Sequence, residues 1–292
     1  MKVEANAKVN FTLEVFGKRA DGYHALRSVV MPISLADTLD IETTDDGEIT
    51  SDTGYDDDLC VKAARVLKCV ATASSPSHGG HDGEDAVVTQ KGATICVKKR
   101  IPAGGGLGGG SADAAAVLRA LNELWKVGLS REELAEVGAQ IGSDVPALVM
   151  GCPVIMEGRG ERVEDVRLKT EDLNLVLVNP GVHSSTKEVY AACEARSLGG
   201  EDQAAKMVSA LQAGDLSRIA AAFMNDLQVP AVKLHPEIAD ALVSLRTSGV
   251  VGAMMSGSGS SVFGLARDAD EAVRISAELN ARGLQAMPVQ TL

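Results

Sequence analysis

Residues 102–115 read Pro-Ala-Gly-Gly-Gly-Leu-Gly-Gly-Gly-Ser-Ala-Asp-Ala-Ala. Six of the seven positions from 104 to 110 are glycine, and ordering such a run costs backbone entropy. Thr94 to Lys98 alternates polar and apolar and predicts a strand before it. Val117, Leu118, Leu121, Leu124 and Trp125 share one face of a helix predicted over about 111–127. A strand, a glycine loop and a helix N-terminus together make an anion site. Glycines let the backbone approach a phosphate with no Cβ in the way, and the helix start offers unpaired N–H groups and a positive dipole end. The candidate phosphate-binding residues are Pro102, Gly104, Gly105, Gly106, Leu107, Gly108, Gly109, Gly110 and Ser111. The Ser111 hydroxyl can bond phosphate or Mg²⁺ and is the candidate metal ligand.

Two other glycine-loop readings fit less well. Gly104, Gly106 and Gly109 match GxGxxG, but a dinucleotide site also needs an acidic strand end ~20 positions on. That region is a helix instead: Ser130 and Glu133 form a capping box, Leu134, Val137 and Ile141 make its apolar face, and Gly142 is expected to end it. The Walker A pattern lacks its Lys-Ser or Lys-Thr.

Outward from the loop, residues 9–16 alternate and predict a half-buried strand, followed by a turn at Arg19-Ala-Asp-Gly. Residues 26–35 and 39–43 read as two further strands, and 59–70 as a helix. Residues 71–85 hold no large apolar residue and are expected to be a solvated loop, with His78 and His81 as exposed histidines rather than metal ligands. Beyond about residue 160 come a strand at 173–178, amphipathic helices between about 186 and 247, and strand, Gly/Ser turn, strand, helix and strand at 250–255, 261–266, 269–281 and 284–289. The class is α+β. The expected division is 1–157, carrying the glycine loop, and 158–292.

The chain has 292 residues, 45% apolar and 23% charged, with a formal net charge of −12. That balance argues against a nucleic-acid or anionic-membrane surface, which need clustered basic residues. The five cysteines are odd in number and lack CxxC spacing. Buried, reduced thiols in a cytoplasmic protein are the expectation. The N-terminus lacks a signal-peptide pattern, and no stretch approaches the ~18 apolar residues of a membrane span.

Two further segments carry chemistry. Asp144, in Gly-Ser-Asp-Val-Pro at 142–146, precedes a short helix. It reads as an N-cap or as a general base toward a hydroxyl, and the two roles are compatible because a helix N-terminus favours negative charge. Lys8, in Ala-Lys-Val-Asn at 7–10, reads as a surface lysine or as a cation facing a phosphate.

Together these segments resemble the GHMP kinase superfamily. Its glycine loop resembles residues 102–115, and its C-terminal Gly/Ser motif resembles 252–264, Gly-Ala-Met-Met-Ser-Gly-Ser-Gly-Ser-Ser-Val-Phe-Gly. Residues 7–24, ending in Arg-Ala-Asp-Gly-Tyr-His, with Gly-Arg-Gly-Glu at 158–161 and Pro-Gly-Val at 180–182, resemble the branch acting on 4-diphosphocytidyl-2-C-methyl-D-erythritol. The resemblance implies a two-domain fold: an N-terminal domain like domain 2 of ribosomal protein S5 and a ferredoxin-like C-terminal domain. It implies ATP and Mg²⁺ as cofactors and phosphorylation of the substrate's 2-hydroxyl in non-mevalonate isoprenoid synthesis. By position, Asp144 would be the base and Lys8 its partner. Asn10 would hold the substrate, Tyr23 and Tyr190 would flank the cytosine, His24 would read its polar edge, and Thr186 would line the pocket. The partner is a small molecule carrying cytidine diphosphate, bound by a monomer or homodimer. Asp58 departs from the family's usual Asn near the adenine. The alternatives are a superfamily kinase for a different alcohol, a non-catalytic ligand-sensing relative and, more distantly, a nicotinamide-dependent oxidoreductase.

Overall fold

The computed structural model describes residues 1–73, 91–168, 172–195 and 202–292. The strands are β1 Lys2–Asn10, β2 Thr12–Lys18, β3 His24–Thr44, β4 Ile49–Ser51, β5 Gly92–Lys98, β6 Val154–Gly158, β7 Arg162–Asp165, β8 Asn174–Asn179, β9 Met224–Asn225, β10 Gly252–Met255, β11 Val262–Leu265 and β12 Gln285–Gln290. The helices are α1 Leu59–Ala73, α2 Gly109–Leu124, α3 Arg131–Gly138, α4 Val145–Met150, α5 Thr186–Ala191, α6 Gln203–Ala213, α7 Leu216–Ala221, α8 Gln228–Leu234, α9 Glu237–Thr247 and α10 Ala269–Ala281. Among the described residues no helix is long and apolar enough to cross a membrane.

The chain forms two compact units, each assembled from separated stretches. The first comprises Met1–Asn6, Ala36–Ile101 and Gly109–Met150. In it, β5 pairs antiparallel with the second half of β3, from Thr38 opposite Lys98 to Thr44 opposite Gly92, and parallel with β4. Helices α1 and α2 pack together, and Leu39, Ile41, Leu67, Ile95, Leu118 and Leu121 fill the core. Removing such side chains from water, at roughly 25 cal/mol per Å² of apolar surface, is the main force holding this unit.

The second unit comprises Ala7–Leu35, Pro102–Gly108 and Gly151–Leu292. The first half of β3 pairs with β2 and with β6, and β6 pairs with β7. A separate antiparallel sheet runs β10-β11-β8-β12. Helices α9 and α10 cover it through Leu242, Leu245, Ile275 and Leu279. Phe11, Phe223 and Phe263 form one aromatic cluster with ring centroids 5.1–5.5 Å apart.

Several expectations need correction. The strand expected over 9–16 is two strands meeting at Phe11, whose N–H donates to the Val29 carbonyl at 2.8 Å. The strands expected at 26–35 and 39–43 are one continuous strand, β3. Asp37 does not interrupt it, because its wholly buried carboxylate accepts hydrogen bonds from the amides of Arg100 and Ile101 and from Lys99 Nζ. Helix α3 ends at Gly138 rather than Gly142; a turn follows, and the Gly142 N–H still reaches the Gly138 carbonyl at 3.2 Å. Of the five free thiols only Cys60 is buried, and Cys69 and Cys96 are exposed. Residues 71–73 belong to α1; the rest of the expected solvated loop, 74–85, including His78 and His81, lies outside the described residues.

Candidate active site

The glycine loop threads against the Gly/Ser loop between β10 and β11. Gly104, Gly106 and Gly108 have φ of 66°, 73° and 71°, the left-handed region that glycine enters without a Cβ penalty. A methyl group on Gly106 would lie 2.1 Å from the Ser256 carbonyl oxygen. One on Gly105 would lie 2.7 Å from Ser261 Oγ. The contact is hydrogen-bonded as well as close: Ser256 Oγ donates to the Gly106 carbonyl at 3.0 Å, and the Ser261 N–H to the Gly105 carbonyl at 3.0 Å. Asn225, on β9, holds the second loop from behind, donating through Nδ2 to the carbonyls of Met255 and Gly257, each at 2.8 Å.

Lys8 is 3% exposed. Its Nζ donates to the Gly106 carbonyl at 3.1 Å and to Asn10 Oδ1 at 2.6 Å. Residues 8 and 10 share a face because side chains alternate along a strand. Asn10 Nδ2 donates to Ser28 Oγ at 2.8 Å, and Ser28 Oγ donates to the Thr12 carbonyl at 2.5 Å. This buried chain fixes the Asn10 amide, and the amide in turn aims the lysine. Lys8 and Asn10 therefore meet the glycine loop, about a hundred positions further along the chain.

The segment 182–190 forms a further wall. Ser184 Oγ donates to the Ser258 carbonyl at 2.7 Å, Thr186 Oγ1 lies 2.9 Å from Ser258 Oγ, and Ser260 Oγ bonds the Val182 carbonyl. Thr186 opens α5, which Ser185 caps by accepting from the Glu188 N–H. Tyr190 lies one turn on, on the same face. It stacks on His24 with centroids 5.6 Å apart and an interplanar angle of 27°. Tyr23 is 52% exposed, and the Arg159 guanidinium lies 5.4 Å from its ring centre. Arg159 sits in the turn of the β6–β7 hairpin, whose two strands the sequence reading did not anticipate.

In the first unit, Ser111 lies in the opening turn of α2. A methyl group on Gly142 would come within 3.8 Å of Ser111 Oγ, so the turn before Asp144 adjoins the helix start. Half-buried Asp144 immediately precedes α4, and its carbonyl accepts from the Leu148 N–H at 3.2 Å. Lys99 ties together the stems of the glycine loop, donating to Asp37 at 2.5 Å and to Asp113 at 2.7 Å. Burial pushes the Asp113 carboxyl up to about 7 against the pull of Lys99, with Asp37 adding repulsion. Asp58, which departs from the family pattern, caps α1: Oδ1 accepts from the Cys60 N–H at 2.7 Å and Oδ2 from Thr53 Oγ1 at 2.6 Å. Burial pushes its carboxyl up, and the hydroxyls of Thr53 and Ser51 with the amides of Cys60 and Val61 more than reverse this, leaving it below the usual carboxylate range.

Lys8, Asn10, Thr186 and the glycine loop gather within the second unit, and Ser111 and the Asp144 turn gather within the first. The sequence reading did not assign Ser256, Ser258, Ser184 or Asn225. The Gly/Ser run at 256–261 signalled the first two; a lone Asn between helices gave no signal.

Residues 60–152 match the GHMP kinases N terminal domain and residues 207–285 the GHMP kinases C terminal domain. A 4-diphosphocytidyl-2-C-methyl-D-erythritol kinase of Pelotomaculum thermopropionicum is 40% identical over 98% of this chain and 96% of its own length. The chain belongs to the GHMP kinase family. A kinase of the same name from Janthinobacterium is 41% identical over 89% of this chain and 83% of its own. Among solved structures, 4-(cytidine 5'-diphospho)-2C-methyl-D-erythritol kinase superposes with a TM-score of 0.80 at 34% identity, covering 100% of this chain and 99% of that one. L. major mevalonate kinase superposes with a TM-score of 0.66 at 19% identity, covering 100% of this chain and 95% of that one, a likeness of fold alone. The two-domain α+β expectation agrees with these GHMP kinase matches.

Proposed function

We propose that the chain transfers the γ-phosphoryl group of ATP to the 2-hydroxyl of 4-diphosphocytidyl-2-C-methyl-D-erythritol, a step of non-mevalonate isoprenoid synthesis. The observation that carries the proposal is the Gly106 carbonyl, bonded at once by buried Lys8 and by Ser256, in a chain so similar throughout to kinases named for that substrate.

The residues present fit a nucleotide phosphate. The loop at 104–108 leaves space that Cβ atoms would fill, and Ser261 Oγ is buried beside Gly105 without a hydrogen-bond partner. Among the described residues no three His, Cys, Asp or Glu side chains converge on a metal site. A magnesium ion carried largely by phosphates and water needs few protein ligands, and Ser111 is the candidate. Bound ATP supplies the transferable phosphoryl group, with magnesium screening its charge.

The chain's own residues supply positioning and charge. Asp144 takes the proton of the attacking hydroxyl as its oxygen bonds phosphorus and ADP leaves. Lys8, aimed by Asn10, balances the charge that builds on the transferring group. Tyr23, Tyr190 and His24 receive the pyrimidine; stacking on an aromatic ring contributes ~1–3 kcal/mol per base. Thr186 lines the acceptor side.

ADP release with ATP, Mg²⁺ and four alcohols tests the reading: the diphosphocytidyl compound, mevalonate, homoserine and galactose. Turnover confined to the cytidine compound supports it. Turnover with another alcohol would retain the kinase and remove the cytosine pocket, and turnover with none would favour a ligand-sensing relative.

A further inference from the structure

His183 has no part in the roles assigned above. It is exposed, on the segment between β8 and α5, yet its ring lies directly over the glycine loop. A methyl group on Gly104 would fall 2.0 Å from His183 Nδ1, 2.5 Å from Cε1 and 3.0 Å from Cγ. Gly104 is thus required twice, by its φ of 66° and by the ring resting on it.

Neighbouring bonds hold the ring there. The Ser184 N–H reaches the Gly104 carbonyl at 3.4 Å. Buried Ser184 Oγ donates to the Ser258 carbonyl at 2.7 Å, and Ser260 Oγ bonds the Val182 carbonyl. The residues on both sides of His183 are therefore fastened to the two glycine-rich loops, while the imidazole stays open to solvent. Burial is not the reason for its place. The Nδ1 edge faces the glycine, so the Nε2 edge lies further out. An imidazole nitrogen bearing hydrogen is a donor, and a donor beside a phosphate loop makes the stronger, charge-assisted kind of hydrogen bond.

We propose that His183 is a ligand-binding residue of this site, donating a hydrogen bond to a phosphate oxygen of the bound reactants. Resting on the kinase reading, it adds a side-chain donor to a loop that otherwise offers backbone. The phosphate has two sources: the nucleotide, or the diphosphate of the cytidine-bearing acceptor. The geometry of a ring above Gly104 serves either.

Calorimetric titration of wild type, His183→Ala and His183→Gln with the Mg²⁺ complex of β,γ-imido-ATP and, separately, with CDP tests the proposal. A lost hydrogen bond to a charged group predicts about tenfold weaker binding by His183→Ala. His183→Gln, which keeps a donor of similar reach, should recover most of that loss. Weakening toward the imido-ATP alone assigns the contact to the nucleotide, and weakening toward CDP alone assigns it to the acceptor; either supports the proposal. Unchanged affinity for both would overturn it and leave His183 as packing on Gly104. If wild type bound neither probe, the kinase reading beneath it would fall as well.

Discussion

Replacing Gly106 with alanine gives the sharpest test of why the loop is built from glycine. The residue has a φ of 73°, which costs an L-residue roughly 1–2 kcal/mol. The added methyl would sit 2.1 Å from the Ser256 carbonyl oxygen and 2.9 Å from the Gly259 nitrogen. Both are backbone atoms, so a side-chain rotation cannot relieve the overlap. Separating them to ordinary contact requires a shift of about 1 Å, a displacement that can cost 10²-fold in rate when it moves catalytic groups. It also strains the bonds from Ser256 Oγ and Lys8 Nζ to the Gly106 carbonyl, worth about 1 kcal/mol each. The sum is about 3–4 kcal/mol of destabilisation, or a melting temperature lower by roughly 6–16 °C for a chain of this size. Gly214→Ala is the control. Its φ is 64° and nothing lies within 4 Å of its added methyl, so only the conformational cost applies. The assay is thermal unfolding of both variants beside steady-state kcat and KM for ATP. If Gly106→Ala melted with Gly214→Ala and kept kcat/KM within twofold of wild type, the steric account of the loop would be refuted.

Three further outcomes are expected. Asp144→Asn should lower kcat by ~10²–10⁴ while leaving CDP affinity within about threefold, because a proton acceptor is removed and its shape kept; a near-wild-type kcat would exclude it as the base. Asn225→Ala strands the carbonyls of Met255 and Gly257 and the Leu227 N–H. It should cost about 3 kcal/mol or more, read by urea unfolding, and an unchanged midpoint would contradict the bracing role. Asp58→Ala should cost ~1 kcal/mol as a lost helix cap. Because folding lowers the Asp58 pKa, that stabilisation is present above the ordinary carboxylate range and lost as pH falls through the lowered value. The gap in melting temperature between wild type and variant should be full at pH 7 and close below about pH 4; a gap that persisted in acid would argue against the carboxylate cap.

Much of this was legible in the residues. The glycine run lies, as expected, between a strand, β5, and the start of a helix, α2, and the Ser130–Glu133 capping box appears as expected, with both reciprocal bonds formed. Long-range satisfaction was not legible. Asp37 looks like a strand breaker until the amides of Arg100 and Ile101 reach it, 63 and 64 positions away in the chain. Asn225 gains its meaning only from two carbonyls 30 and 32 positions on. The interleaving of the two units is likewise invisible to a linear reading, since one strand, β3, gives its first half to one and its second half to the other. For the aromatic residues, the family resemblance grouped Tyr23, His24 and Tyr190, and the fold pairs His24 with Tyr190 and Tyr23 with Arg159.

The most direct test of the central claim is ³¹P and ¹³C nuclear magnetic resonance of the product formed from ATP, Mg²⁺ and 4-diphosphocytidyl-2-C-methyl-D-erythritol. The account predicts ADP, an intact cytidine diphosphate and one new phosphomonoester coupled to carbon 2 of the methylerythritol. A phosphate on another hydroxyl, or release of ADP with no new phosphomonoester, would contradict it.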